Sequence, residues 1–370
     1  MSLDYVDGAA TAVVDLTSVA FGEVERTIFR SGRLAASVFR YPTGVDAVRI
    51  GDGDNEMVIL PFQGQHIWRA RLGGRDVTMK SMFDMPRPTL KFFETYGGFY
   101  QHAGATAIGA PEPGERREQH GELPNAPYGE AAVYVGEDAD GRFIAVTGRY
   151  NHTVAFATNY AAVPVAKVYE GSGRIFVGMT VTNLKASPME VHYLGHLNWR
   201  AADHAELFGT TIDSGEAFRV RQEIPPHIKP GPGYVEWIDR LAKDPTPASV
   251  LSPDKLFAPE VVFTFDSLTD DAGQAHFLAV HGDGSGDYVS FAPLGGSVRW
   301  ICRTPDQDAL GLAFPVHSVT TPGKVNGVPV EHKPLGPGET FKVGIRAGVL
   351  PPSEVAKAKA HIAGVKARHG

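Results

Sequence analysis

The chain has a single cysteine, Cys302, among its 370 residues. An intrachain disulfide is therefore impossible, and a cysteine-rich zinc site is excluded. No apolar run reaches the roughly 18–20 residues that a membrane span requires. The opening residues Met1-Ser2-Leu3-Asp4-Tyr5 show no basic stretch followed by an apolar core, so no signal peptide is read there and a cytoplasmic location is expected. Long basic runs are also missing and the net charge is −7, which sets aside nucleic acid and membranes as partners. A Gly-x-Ser-x-Gly elbow, a Walker loop, a His-Glu-x-x-His pair and a dinucleotide fingerprint are all absent, which removes most nucleotide enzymes. Gly231-Pro232-Gly233 is too rich in proline to open a phosphate-binding helix. There are no internal repeats and no heptads.

What is present is ordinary for a globular chain with a sizeable core: 43% hydrophobic and 21% charged residues. The 42 glycines and 27 prolines are not periodic, so they mark many turns. Short strand-like segments fill residues 11–60, punctuated by Ser31-Gly32, Pro42-Thr43-Gly44 and Gly51-Asp52-Gly53-Asp54. Residues 174–182 alternate cleanly, with Ile175, Val177, Met179 and Val181 sharing one face. Residues 189–197 return as a strand with His196 at its end, and further strands follow from 260 to 314 and from 339 to 348. Residues 224–233 read as loop and the rest of 203–258 as mixed. One helix is clear: Pro351-Pro352-Ser353 breaks and caps the chain before an Ala-rich run. The expectation is one mostly β, largely antiparallel domain over 1–370. The strands of residues 1–55 pack on it, and a C-terminal helix covers 353–367.

Residues 81–128 lack a helical or strand period over most of their length, and long irregular segments inside compact domains are commonly functional. They end in Gln119-His120-Gly121-Glu122-Leu123-Pro124-Asn125, which places an imidazole, a carboxylate and a carboxamide on a backbone stiffened by proline. Each polar group has an ordinary reading too. Glu122 serves equally as a turn carboxylate, Asn125 as an Asx-turn residue, and Arg149 as half of a surface ion pair. Tyr96, Phe99, Tyr100, Tyr128 and Tyr160 read as core or loop anchors, or as sugar-stacking rings. Among 14 histidines, His102, His120 and His196 stand out by position. They are far apart in sequence and show no zinc-type spacing, so no metal and no cofactor is expected.

Taken in order, four short motifs resemble the aldose 1-epimerases (mutarotases). These are Leu60-Pro61-Phe62-Gln63-Gly64-Gln65-His66-Ile67; His120-Gly121 after a Gly-rich loop; Thr182-Asn183 with a strand ending His196-Leu197-Asn198-Trp199; and the turn Leu335-Gly336-Pro337-Gly338-Glu339. The similarity runs over roughly residues 55 to 350, and the order of the motifs carries it. It implies a galactose-mutarotase-like antiparallel β-supersandwich whose ligand is a small-molecule carbohydrate, with no cofactor. It also implies acid–base ring opening: a base takes the anomeric hydroxyl proton, an acid protonates the ring oxygen, C1 turns about its bond to C2, and the ring closes.

Carried over, His196 matches the acid histidine and His120 the histidine that holds the substrate or ring oxygen. The family's base, a late-strand glutamate, falls at about Phe314, which accepts no proton. Three explanations stay open: a moved base, with Glu122 the nearest candidate and Glu331 another; a shifted register; or a protein that binds sugar without epimerising it. The expected catalytic set is His120, His196 and Glu122. The expected substrate-binding set is Lys80, His102, Asn125, Arg149 and Asn198. Lys80, Arg149 and Arg69 suit an acidic sugar, and a neutral one is equally compatible. A hydrolase would need a second carboxylate at defined separation, and the sequence offers only Glu122.

Overall fold

The computed structural model describes residue 6 and residues 10–369, apart from 213, 226 and 227. Its contacts fall into two compact units. The first comprises residues 1–78, 83–193 and 333–346, and the second residues 79–82, 194–332 and 347–370.

The first unit is built from antiparallel strands. Ala10–Asp15, Glu130–Asp138, Gly141–Val154, Thr158–Tyr169 and Arg174–Asn183 pair in that order. Arg26–Ser31, Leu34–Arg40, Asp46–Gly51, Glu56–Ile59 and Ile67–Leu72 form a second meander. The alternation expected for 174–182 holds: Ile175, Val177, Met179 and Val181 are all buried. Their shared face is one side of a pleated strand, where period-two apolar residues must enter the core. Lys167 is buried beside Phe143, its ammonium 4.0 Å from the ring centroid, and its charge is met by Asp138 at 2.8 Å.

Two of the sequence motifs meet here. Asn183 is fully buried, and its side-chain amide donates to the carbonyls of Ser187 (3.0 Å), Leu335 (2.9 Å) and Gly336 (3.1 Å). The amide of Gly336 in turn donates to the Glu339 carboxylate at 2.7 Å, closing the turn. A second pair meets at Gly64, whose φ is +64°. A Cβ there would lie 2.0 Å from the Pro124 carbonyl oxygen, so only glycine admits this approach. The amide of Gly64 donates to the Ala126 carbonyl at 2.8 Å.

The irregular region 81–128 contains a strand the sequence pattern hides, Tyr100–Ala105, buried at every position. Buried on both faces and rich in Gly and Ala, it shows no alternation.

In the second unit, Phe218–Val220, Val261–Phe265, Ser297–Arg303 and Asp308–His317 pair in that order. Glu206–Gly209, Ala275–Val280 and Gly286–Phe291 form another antiparallel set. The C-terminal helix is present as Pro352–His369, with Val355 and Ile362 packed on Leu278 and Leu350. A second, short helix, Tyr234–Lys243, lies in the stretch read as mixed. Its buried residues Tyr234, Trp237, Ile238 and Leu241 follow the 3, 4, 7 spacing of one helical face. Gly233, in the left-handed region, starts it directly after the Pro-rich loop.

Candidate functional site

In the first unit the chemistry gathers at Glu122. Its carboxylate accepts hydrogen bonds from the backbone amides of Ala105 (3.1 Å) and Thr106 (3.2 Å), from the Thr106 hydroxyl and from the Tyr160 hydroxyl. An ionised carboxylate offers about four acceptor positions, and four donors meet this one. Burial raises the Tyr160 hydroxyl well above the ordinary phenol range, and the Glu122 charge raises it further. Tyr150 is pushed to about 12 by the same two causes in the same order. Its hydroxyl lies 2.7 Å from His152 Nδ1, and the His152 ring is 5.2 Å from that of Tyr160. Tyr128 is buried 5.6 Å from the Tyr150 ring, and its hydroxyl finds no hydrogen-bond partner among the described residues. Sequence reasoning singled out Tyr128 and Tyr160 as anchors or stacking rings and Arg149-Tyr150 as an ion pair or substrate contact, and missed His152. The i, i+2 spacing of Tyr150 and His152 on the strand Gly141–Val154 puts both on one face.

His120 holds a positive φ of +63° between the loop and Gly121. Its Nδ1 accepts from the Gly109 amide at 3.2 Å, and its ring lies 5.1 Å from Phe92. That bond sets the neutral ring's proton on Nε2. His102 is 1% exposed, and its Nδ1 is 2.8 Å from the Tyr193 hydroxyl, which is 2.8 Å from that of Tyr100. Burial drives the His102 imidazole down to about 3, so it is neutral through the physiological range. The Asn125 amide ties loops together: its oxygen accepts from Gln63 at 3.1 Å and its nitrogen donates to the Lys91 carbonyl at 3.5 Å. Arg149 is half-buried on Gly141–Val154, opposite Glu130. The Arg69 guanidinium donates to the carbonyls of Trp68, Gly97, Phe83 and Asp84, which spends it on loop structure.

The second unit holds His196, Asn198 and Lys80. His196 sits near the end of the strand His192–Leu197, as expected. Its Nδ1 lies 2.7 Å from Asn198 Oδ1, which fixes the proton of the neutral ring on Nδ1 and the lone pair on Nε2. Its ring is 4.5 Å from Phe314 and 5.4 Å from Trp300. Phe314 therefore stands beside the histidine. Burial pulls the His196 imidazole down to about 4; the Asn198 bond and the Glu260 charge oppose that pull. Glu260, absent from the sequence reading, is held by Trp300 Nε1 at 2.6 Å and Arg221 at 2.5 Å. It precedes the apolar strand Val261–Phe265, where no motif marks it. Lys80 is exposed and bridges to Asp308 through its backbone.

The fold, β-rich and antiparallel, matches that of galactose mutarotase-like structures. One solved structure, a provisionally assigned aldose 1-epimerase from Klebsiella pneumoniae subsp. pneumoniae, superposes with a TM-score of 0.76 at 16% identity, covering 96% of each chain. A galactose mutarotase-like protein from Clostridium acetobutylicum gives 0.54 at 13% identity, covering 85% of this chain and 98% of its own. A protein from Synechocystis sp. PCC 6803 gives 0.54 at 14%, covering 82% and 95%. Residues 42–201 match a family described as a domain of unknown function, DUF4432. A search of curated proteins finds no match. No helix among the described residues is long and apolar enough to cross a membrane.

Proposed function

We propose that this protein is a cytoplasmic aldose 1-epimerase-like isomerase that interconverts the anomers of a free sugar or sugar derivative without a cofactor. The observation that carries the reading is His196. It is buried, oriented by Asn198 and electrostatically coupled to Glu260. With its proton on Nδ1, the neutral ring presents Nε2 as an acceptor. His196 therefore begins the cycle as the base, where the family resemblance implied an acid. It takes the anomeric hydroxyl proton, and the Glu260 carboxylate stabilises the imidazolium. The same proton returns to the ring oxygen as the C1–O bond breaks, because both oxygens are attached to C1. Rotation about C1–C2 and the reverse transfers close the other anomer. One imidazole shuttling one proton needs no late-strand glutamate, which accounts for Phe314. A general acid–base contribution of this type is about 10²–10⁴-fold.

Asn198 is then a positioning residue. Glu122 acts in the same way, holding Tyr160 and the loop of Ala105 and Thr106. Lys80, in the same unit as His196, remains a proposed contact to a sugar hydroxyl. His102 and Asn125, whose polar atoms are engaged inside the first unit, support that unit.

The test is anomer exchange measured by NMR or polarimetry across a panel of aldoses. Wild type accelerates exchange and His196→Gln loses the acceleration. A second reading, a sugar-binding protein without turnover, is favoured by one observation: an aromatic ring packs on His196 where the resemblance asks for a carboxylate. Saturable binding with no acceleration by wild type selects that reading. Neither binding nor acceleration removes both.

A further inference from the structure

Away from His196, three side chains of the second unit aim at one point. Asp270 comes from a turn, His276 from the strand Ala275–Val280 and His361 from the helix Pro352–His369. His276 Nε2 is 2.8 Å from Asp270 Oδ2, His361 Nε2 is 3.2 Å from His276 Nε2, and His361 Nε2 is 3.4 Å from Asp270 Oδ2. Ligands about 2.0–2.1 Å from a tetrahedral zinc ion stand about 3.3 Å from one another. The triangle has the dimensions of one face of such a tetrahedron.

The surroundings orient each ligand. Asp270 spends its other oxygen, Oδ1, on the backbone amides of Ala272 and Gln274, both at 2.9 Å, which turns Oδ2 toward the histidines. The Tyr288 hydroxyl lies 2.5 Å from His276 Nδ1. With Nδ1–H donating to that hydroxyl, the Nε2 lone pair of His276 points at the shared centre, as the outer partners of metal-bound histidines arrange. Two Nε2 atoms and a carboxylate oxygen face one another within 3.4 Å. A cation at the centre satisfies all three together. The His361 side chain is 47% exposed, which leaves a solvent path and room for water as a fourth ligand.

We propose that Asp270, His276 and His361 bind a divalent first-row transition metal, zinc by preference for a nitrogen–oxygen tetrahedral donor set, and that the ion fastens the C-terminal helix to the strand Ala275–Val280. The spacing of the ligands hides this in the sequence: His276 and His361 are 85 residues apart. The site stands independently of the sugar chemistry.

The experiment uses the full chain, stripped with chelator and titrated with Zn²⁺ and Co²⁺. Wild type takes up one equivalent, its thermal midpoint rises with zinc, and the Co²⁺ form shows the visible absorption of a tetrahedral ion. His361→Ala, at a half-exposed helix position that alanine suits, loses zinc affinity on the order of 100-fold. Tyr288→Phe, which removes only the orienting hydroxyl, loses about 10-fold. If wild type binds no zinc or cobalt, or His361→Ala binds as much as wild type, the cluster is a hydrogen-bonded Asp–His–His group and the proposal is overturned.

Discussion

Acid should unfold this protein through two particular histidines. An exposed imidazole titrates near 6.5. In the folded chain burial holds His102 at about 3 and His196 at about 4. Both folded values lie below the unfolded one, so the unfolded chain takes up a proton first as pH falls. Their stability is therefore present in full above pH 6.5 and is lost as pH drops toward the folded values. At pH 5 the chain is 1.5 units below the unfolded value, and about 1.4 kcal/mol per unit gives about 2 kcal/mol for each histidine. The perturbation is His102→Gln, which keeps an amide able to bond the Tyr193 hydroxyl but cannot titrate. The assay is the urea unfolding midpoint at intervals from pH 8 to pH 5. The variant starts less stable at pH 8, and its curve falls less steeply, recovering about 2 kcal/mol of the wild-type loss by pH 5. Parallel curves for variant and wild type would refute the argument, because they would mean that His102 protonates no less readily in the fold than in the open chain.

Three further outcomes are expected. Asn183→Ala removes the amide whose two N–H groups are shared among the carbonyls of Ser187, Leu335 and Gly336; at a net cost of about 0.5–1.5 kcal/mol for each hydrogen bond lost, unfolding should move to lower urea by the equivalent of about 1–3 kcal/mol. An unchanged midpoint would show that the turn at Leu335 is held by something else. If His196 begins as the base, the anomerisation rate should be level from pH 8 to about 5 and fall only as pH approaches 4, whereas an acid role predicts decline as pH rises above 4. Tyr160→Phe frees one acceptor position on Glu122. It should lower stability by about 1.5–3 kcal/mol, the range for a hydrogen bond to a charged group, and an unchanged thermal midpoint would show that this contact does not hold the first unit together.

The sequence disclosed the elements whose pattern comes from one-sided burial. Arg174–Asn183 alternates because one face enters the core, and the C-terminal helix carries its own break and cap. Tyr100–Ala105 was illegible because burial on both faces erases alternation. The helix Tyr234–Lys243 was masked by the Pro-rich loop before it, although its 3, 4, 7 apolar spacing was available. Among the candidate residues, His196 was legible from its place near a strand end, and Phe314 from its place in the late strand. Glu260 was not, since its importance comes from Trp300, Arg221 and His196, all distant in sequence. The Asp270, His276 and His361 group escaped for the same reason. The four donors around Glu122 were also illegible, because composition reveals a group's chemistry but not what surrounds it.

The bond from Asn183 to Leu335 spans 152 positions. To the first unit, the segment 194–332 is a closed loop, pinned at its base by the Asn183 amide together with the backbone bridge between Met189 and Leu335. The entropy of closing a loop grows only with the logarithm of its length, about 0.6 kcal/mol for each doubling. Lengthening or shortening the intervening segment should therefore cost the first unit little, whereas cutting the pin should be felt throughout it. On this view the tolerance of the chain to insertion is set by the hydrogen bonds that close the base, those of Asn183 and of the Met189–Leu335 bridge, rather than by the amount of protein inserted.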